Sequence, residues 1–195
     1  MTLGWGRAII GLTLLIMSWF QKKAAPGTVN TPQSTPAPRA VKGLKIAPLL
    51  SEDVILFPVP AQDKSAILES LTAAVCRKAG LADPARFLAK VEEREQGIST
   101  TLDTGLSLPH ARMDGIDGIL AGMAVLKTPI PDPQQAELPI RVVFLFFSPN
   151  KQEAFPVHLQ LLRGVSSLFQ PALIDQLTAA AGPADALALV RKLEG

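Results

Sequence analysis

The chain has one cysteine, no tyrosine and two histidines in 195 residues. A single cysteine excludes a disulfide framework and a cysteine-rich metal site. Cys76 lies in the run Leu71-Thr72-Ala73-Ala74-Val75-Cys76, where a thiol serves as a small buried hydrophobe. Aromatic residues make up only 5% of the chain, so a core must be built from Leu, Ile, Val and Ala. The two histidines, His110 and His158, are 48 positions apart with no HxxxH spacing. They form a poor ligand set, so no metal site is expected and a metal hydrolase is disfavoured. Acidic residues are absent from residues 1–43, which hold Arg7, Lys22, Lys23, Arg39 and Lys42. The other 14 basic and 17 acidic residues leave −3 on the rest of the chain, so the overall +2 comes from the N-terminal part. That balance is no electrostatic footprint for nucleic acid.

What is present suffices for one domain of about 150 residues plus an extension. The extension opens with an uncharged apolar run at residues 8–20, flanked by Arg7 and by Lys22-Lys23. A spanning helix needs about 20 apolar residues and a signal-peptide core about 7–15. Three readings of residues 1–23 stay open: a membrane tether through residues 3–20, a signal peptide, or sequence ahead of the true start. Residues 24–43 are a linker, with Pro26, Pro32, Pro36 and Pro38 among small polar residues. The folded domain is expected over residues 44–195.

Within it, Asp53–Val59 reads as a strand stopped by Pro58 and Pro60. Asp63 is a candidate N-cap for a helix over 64–79, with Ile67, Leu68, Leu71, Ala74 and Val75 at helical spacing. Asp83-Pro84 opens a second helix running to about Glu95. Short β-like pieces follow over 97–110, with His110 at a strand end. Residues 118–127 read as a strand, Pro129, Pro131 and Pro133 as a loop, and 140–147 as an apolar central strand. Helices follow over Glu153–Leu168, Pro171–Ala180 and Ala184–Leu193. This order predicts an α/β fold, a three-layer α/β/α sandwich on a central mixed β-sheet.

The chemistry concentrates around Leu106-Ser107-Leu108-Pro109-His110-Ala111-Arg112. Pro109 has a fixed φ and no N–H, which suits rigid presentation of the next side chain. A neutral imidazole is a nucleophile near pH 7 once one ring nitrogen is free and the other donates a hydrogen bond that fixes the tautomer. An incoming phosphoryl group would need cations or N–H donors around it. Arg94, Ser99, Thr100 and His158 are candidates. On spacing alone, an ordinary turn histidine remains the competing reading. Asp114 and Asp117 read as a solvated turn rather than as catalytic carboxylates.

The stretch Glu93-Arg94-Glu95, Gly97, Ser99-Thr100, Leu102, Gly105 and Leu108-Pro109-His110-Ala111-Arg112 resembles enzyme IIA domains of the bacterial phosphotransferase system. The match is to the fructose/mannitol/nitrogen-regulatory type. Lys127-Thr128-Pro129-Ile130 resembles that family's turn after a strand. Ser148-Pro149 and His158-Leu159-Gln160-Leu161-Leu162 resemble its second histidine and helix. The resemblance implies a cytoplasmic phosphoryl carrier with no cofactor of its own. It implies that His110 takes phosphate from the HPr phosphocarrier and passes it to a IIB-domain cysteine in sugar uptake, or signals its phosphorylation state to a regulated protein, as in nitrogen regulation. It further implies that Arg94 binds the phosphate, that His158 hydrogen-bonds near the phosphorylated ring, and that Ser99 and Thr100 support the site. Arg112 either assists them or braces the loop.

One residue is inserted before Ser99 relative to the family's glycine-rich motif, and Thr101, Asp103 and Thr104 replace Gly, Gly and Asn. Asp103 adds a negative charge that either weakens phosphorylation or points to solvent. The competing functional reading is a degenerate, non-catalytic IIA-like interaction domain tethered to the membrane.

Overall fold

The computed structural model describes residues 44–59 and 63–194. The expectations for residues 1–23 and 24–43 therefore lie outside the described residues. The elements are β1 (Ile55–Leu56), α1 (Lys64–Lys78), α2 (Pro84–Glu95), β2 (Leu106–Ser107), β3 (His110–Met113), β4 (Leu120–Pro131), β5 (Pro139–Pro149), α3 (Phe155–Leu168), α4 (Pro171–Ala179) and α5 (Pro183–Glu194). The strands form one five-stranded sheet in the order β1-β4-β5-β2, with β3 also paired to β5. β4 and β5 are antiparallel, and the other pairs are parallel. Helices cover both faces, so the architecture is the expected layered sandwich on a mixed sheet.

β5 is central because its side chains are apolar on both sides, and Val142 to Phe147 are fully buried. Successive residues face opposite layers. Phe147 packs edge-to-face on Phe87 of α2, with ring centroids 5.0 Å apart. Phe144 meets Phe169, at the end of α3, at 5.5 Å. On the α2 side, α1 packs directly on β4 at Gly122. A Cβ there would sit 2.7 Å from Val75 and 3.1 Å from the Val54 carbonyl. Both helices of this layer start at caps legible in the sequence. The Asp63 side chain accepts from the Ala66 N–H at 2.8 Å, and Asp83 accepts from the Arg86 N–H at 3.1 Å, with Pro84 at the first helical position.

Three local expectations need correction. The first strand is only Ile55–Leu56, because Glu52–Val54 form a 3-10 turn before it. The loop expected at Pro129–Pro133 is instead the far end of β4, which runs to Pro131. Its register against β5 shifts between Val125 and Ile130, and this irregularity is where a ladder tolerates Pro129. Lys127, expected to open a turn, stays within β4, and its side chain donates to the carbonyls of Thr178 (3.0 Å) and Ala180 (2.8 Å) at the C-terminus of α4. Such carbonyls have no helical partner, and a cation satisfies them.

The third correction concerns His110, which opens β3 rather than closing a strand. Leu106 pairs with Val142 and His110 with Phe146, so β2 and β3 share one register along β5. They are one edge strand broken at Leu108-Pro109, where proline cannot donate to the ladder. The Pro109 carbonyl still accepts from the Phe146 N–H at 3.2 Å.

Candidate functional site

The register decides where His110 points. Residues paired across strands share a face, so His110 lies on the side of Phe146. Its ring stacks on Phe146 at 5.3 Å between centroids and 11° between planes. That is also the side of α3, whose first turns place His158 5.3 Å from both rings. The Pro109 break frees the Leu108 carbonyl, which lies 2.8 Å from His110 Nδ1. A carbonyl only accepts, so Nδ1 carries the proton and Nε2 keeps the lone pair of the neutral ring. His158 Nδ1 lies 2.7 Å from the hydroxyl of the fully buried Ser148, at the end of β5.

Both imidazoles are held neutral. Burial lowers the His110 pKa from the ordinary 6.5. The Leu108 hydrogen bond opposes that shift, the Arg94 charge adds to it, and Glu95 opposes it. Burial, then the charges of His110 and Arg112, push His158 down to about 4. Near pH 7 the pair is therefore two uncharged rings, one with a defined nucleophilic nitrogen.

His110 and His158 line an open cleft of about 660 Å³ together with Arg94 and Arg112. Arg112, on β3, donates from Nη2 to the Lys151 carbonyl at 2.8 Å, and its guanidinium lies 5.2 Å from the centre of the Phe155 ring. Its Nε is buried without a partner. Arg94, in the last turn of α2, is exposed and donates to the Ile98 carbonyl at 3.1 Å. Two cations beside two neutral imidazoles make a site that can take an anion and a nucleophile's electrophilic partner together.

Ser99 and Thr100 do not line this cleft. Ser99 Oγ donates to Asp132 at 2.9 Å and Thr100 Oγ1 to Glu95 at 2.6 Å. Both belong to a second polar region, where Lys64 Nζ lies 2.6 Å from Glu95 and 2.9 Å from Asp132. Burial alone would raise the Asp132 carboxyl. Hydrogen bonds from Thr101, Lys64, the Gln134 N–H and Ser99 outweigh it and hold the group far below the carboxylate range. Asp103, the worrying charge of the sequence, is exposed in its turn and does not line the cleft. Among the described residues no three His, Cys, Asp or Glu side chains converge to hold a metal ion.

Residues 48–193 match the family described as phosphoenolpyruvate-dependent sugar phosphotransferase system, EIIA 2. The chain belongs to that family. A nitrogen regulatory protein of Pseudomonas aeruginosa is 24% identical over 144 residues, covering 74% of this chain and 92% of the relative. Among solved structures, nitrogen regulatory protein IIA-Ntr of Neisseria meningitidis superposes with a TM-score of 0.65 at 20% identity, over 74% of this chain and 97% of that one. The mannitol IIA of Escherichia coli, in its complex with phosphorylated mannitol IIB, gives 0.62 at 15% identity, over 73% and 97%. At such identities the structures speak for the fold alone.

Sequence reading missed three of the groups that shape this cleft. The Leu108 carbonyl has no side-chain signal beyond the Pro109 that frees it. Ser148 was part of the resembling stretch, but nothing in the sequence showed its hydroxyl meeting His158, ten positions on. Phe146 becomes the platform for His110 only once the strand register is known.

Proposed function

We propose that this EIIA-type chain is a phosphoryl carrier in which His110 Nε2 attacks the phosphohistidine of HPr. The P–N bond of the donor breaks as the Nε2–P bond forms. The proton stays on Nδ1, hydrogen-bonded to the Leu108 carbonyl, so no base is required. Arg94 and Arg112 face the charge of roughly two units on the transferring group. With Ser148 donating to its Nδ1, His158 offers an Nε2–H to a phosphoryl oxygen. The group then passes to a IIB cysteine or is read by a regulated protein in the cytoplasm. The observation that carries this reading is the tautomer imposed on His110 at the wall of a cleft shared with His158 and two arginines.

The test is transfer from phosphoenolpyruvate through enzyme I and HPr to the full chain. The expected result is an acid-labile, base-stable label that His110→Ala abolishes, with Arg94→Ala slowing it. A folded chain that takes no label from active donors would replace this reading with the non-catalytic interaction domain.

No helix among the described residues is long and apolar enough to cross a membrane. The proposed domain division, with residues 44–195 as the carrier, leaves residues 3–20 as a candidate tether. Recovery of the full chain in the membrane fraction, and of a chain lacking residues 1–43 in the soluble fraction, would bear it out.

A further inference from the structure

The second polar region has no place in the transfer reaction, yet it is costly to build. Lys64, Glu95 and Asp132 are 6%, 9% and 1% exposed. One ammonium faces two carboxylates, leaving a net negative charge in the interior. An apolar cluster of the same volume would serve stability at least as well. Asp132 Oδ1 accepts from the Gln134 and Gln135 N–H groups at 2.9 and 3.1 Å, and three hydroxyls from one short segment add to the cluster. Thr100 Oγ1 donates to Glu95 at 2.6 Å, and Thr101 Oγ1 and Ser99 Oγ donate to Asp132 at 2.6 and 2.9 Å. The single Thr101 proton goes to the carboxylate, so Ser107, 3.1 Å away on β2, donates to Thr101.

This segment is one step from the reacting ring. The Leu108 N–H donates to the Thr100 carbonyl at 3.1 Å, and the Leu108 carbonyl holds His110 Nδ1 at 2.8 Å. Leu108 thus presents one peptide group to each side. If residues 99–101 move, the Leu108 peptide loses its anchor. The imidazole then exchanges with the other tautomer, in which Nε2 carries the proton and cannot attack. A network of this kind rewards one backbone arrangement rather than overall stability.

We propose that the buried ionic cluster of Lys64, Glu95 and Asp132 positions His110, holding Thr100 and Thr101 so that the Leu108 carbonyl stays on Nδ1. This rests on His110 being the phosphoryl acceptor. Thr100 and Thr101 are positioning residues, acting through Leu108 and touching no phosphate.

Removing Lys64 endangers the fold, so the test uses isosteric loss of a hydroxyl, Thr100→Val and Thr101→Val, in the full chain. The first readout is the 15N spectrum of the imidazoles in unphosphorylated protein, which reports the tautomer without any donor. Wild type is expected to show Nδ1 protonated and Nε2 bare at His110. Each valine variant is expected to show a tautomer mixture. It should also transfer phosphate from phospho-HPr on the order of tenfold more slowly at saturating donor, with an unchanged KM. Thr100→Ser is expected to restore both. Variants that keep the wild-type spectrum overturn the proposal, whether or not their rates fall. So does a wild-type His110 that lacks the Nδ1–H form. Absence of labelling in wild type counts against the carrier reading instead, and leaves the spectral test standing.

Discussion

The last turns of α2 supply two polar regions that treat charge in opposite ways. Glu92, Glu95 and Gln96 face one side, toward Lys64 and Asp132, whereas Lys90, Glu93, Arg94 and Gly97 face the other, toward His110. The spacings of three and four residues sort them by helical periodicity. On the first side a buried ammonium lies between two carboxylates, with a hydroxyl on Glu95 Oε1, two hydroxyls on Asp132 Oδ2 and two backbone N–H groups on Asp132 Oδ1. On the second side the arginines make single backbone contacts, and Arg112 Nε is left without a partner. A network bonded largely within itself makes a rigid wall, while unspent donors in an open cleft make a place for an anion. The same few residues of helix thus join a device that resists change to one that awaits a ligand.

The strongest way to break this contrast is to remove the cation of the closed region. Lys64→Met leaves Glu95 and Asp132 buried, close together and uncompensated. Losing one member of a buried ion pair costs roughly 3–5 kcal/mol. Urea unfolding should show a loss of that size with an unchanged slope. A loss under about 1 kcal/mol, the range of exposed pairs such as Lys78–Asp53, would mean that the region is not closed to water.

Which residues join which region was only partly legible in the sequence. The sheet, the helices and the two histidines as a candidate pair were readable, because they rest on local apolar periodicity, on caps and on short motifs. Residues 140–147 announced a central strand, and Asp83-Pro84 announced the start of α2. Ser99 and Thr100 were sent to the wrong side. As hydroxyls near a histidine they suit a phosphate, but their partners are Glu95 and Asp132. Asp132 stands 31 to 33 positions away, and only the pairing of β4 with β5 brings it in. Likewise, no periodicity foretold that Pro109 would interrupt a strand and turn the Leu108 carbonyl onto the imidazole. The failures are long-range hydrogen bonds, while the successes are local.

A smaller effect separates the two regions by pH. His158 is held at about 4 against 6.5 when unfolded, so between those values the unfolded chain binds a proton that the folded chain refuses. Stability therefore falls as pH drops through that window, and is unaffected by this group above it. His110 acts in the same direction. His158→Gln should flatten the decline of unfolding free energy from pH 6.5 to 4, which denaturant titrations at a series of pH values would measure. Asp132, held below its ordinary 3.8, loses its stabilising contribution mainly below that value and adds to the decline only at the acid end of the window. A His158→Gln profile as steep as wild type would mean that the decline comes from carboxylates.

The smallest effect is expected at Asp103. As a residue type it is the most suspicious departure in the chain, a carboxylate in place of a glycine of the uncharged resembling motif. Its side chain is exposed and lines neither polar region. It sits in the turn before β2, four residues ahead of Ser107, and along an extended strand His110 is about 3.3 Å per residue further on. At such separations a solvated charge is largely screened at physiological salt, where the Debye length is about 8 Å. Asp103→Asn should therefore change the rate of phosphoryl transfer to His110 by less than about twofold at that ionic strength. At low salt the gain should grow modestly, as for any charge acting through solvent. A tenfold gain that persists in high salt would place the carboxylate at the cleft after all. The boundary between closed and open regions would then have to be redrawn through the 102–105 turn.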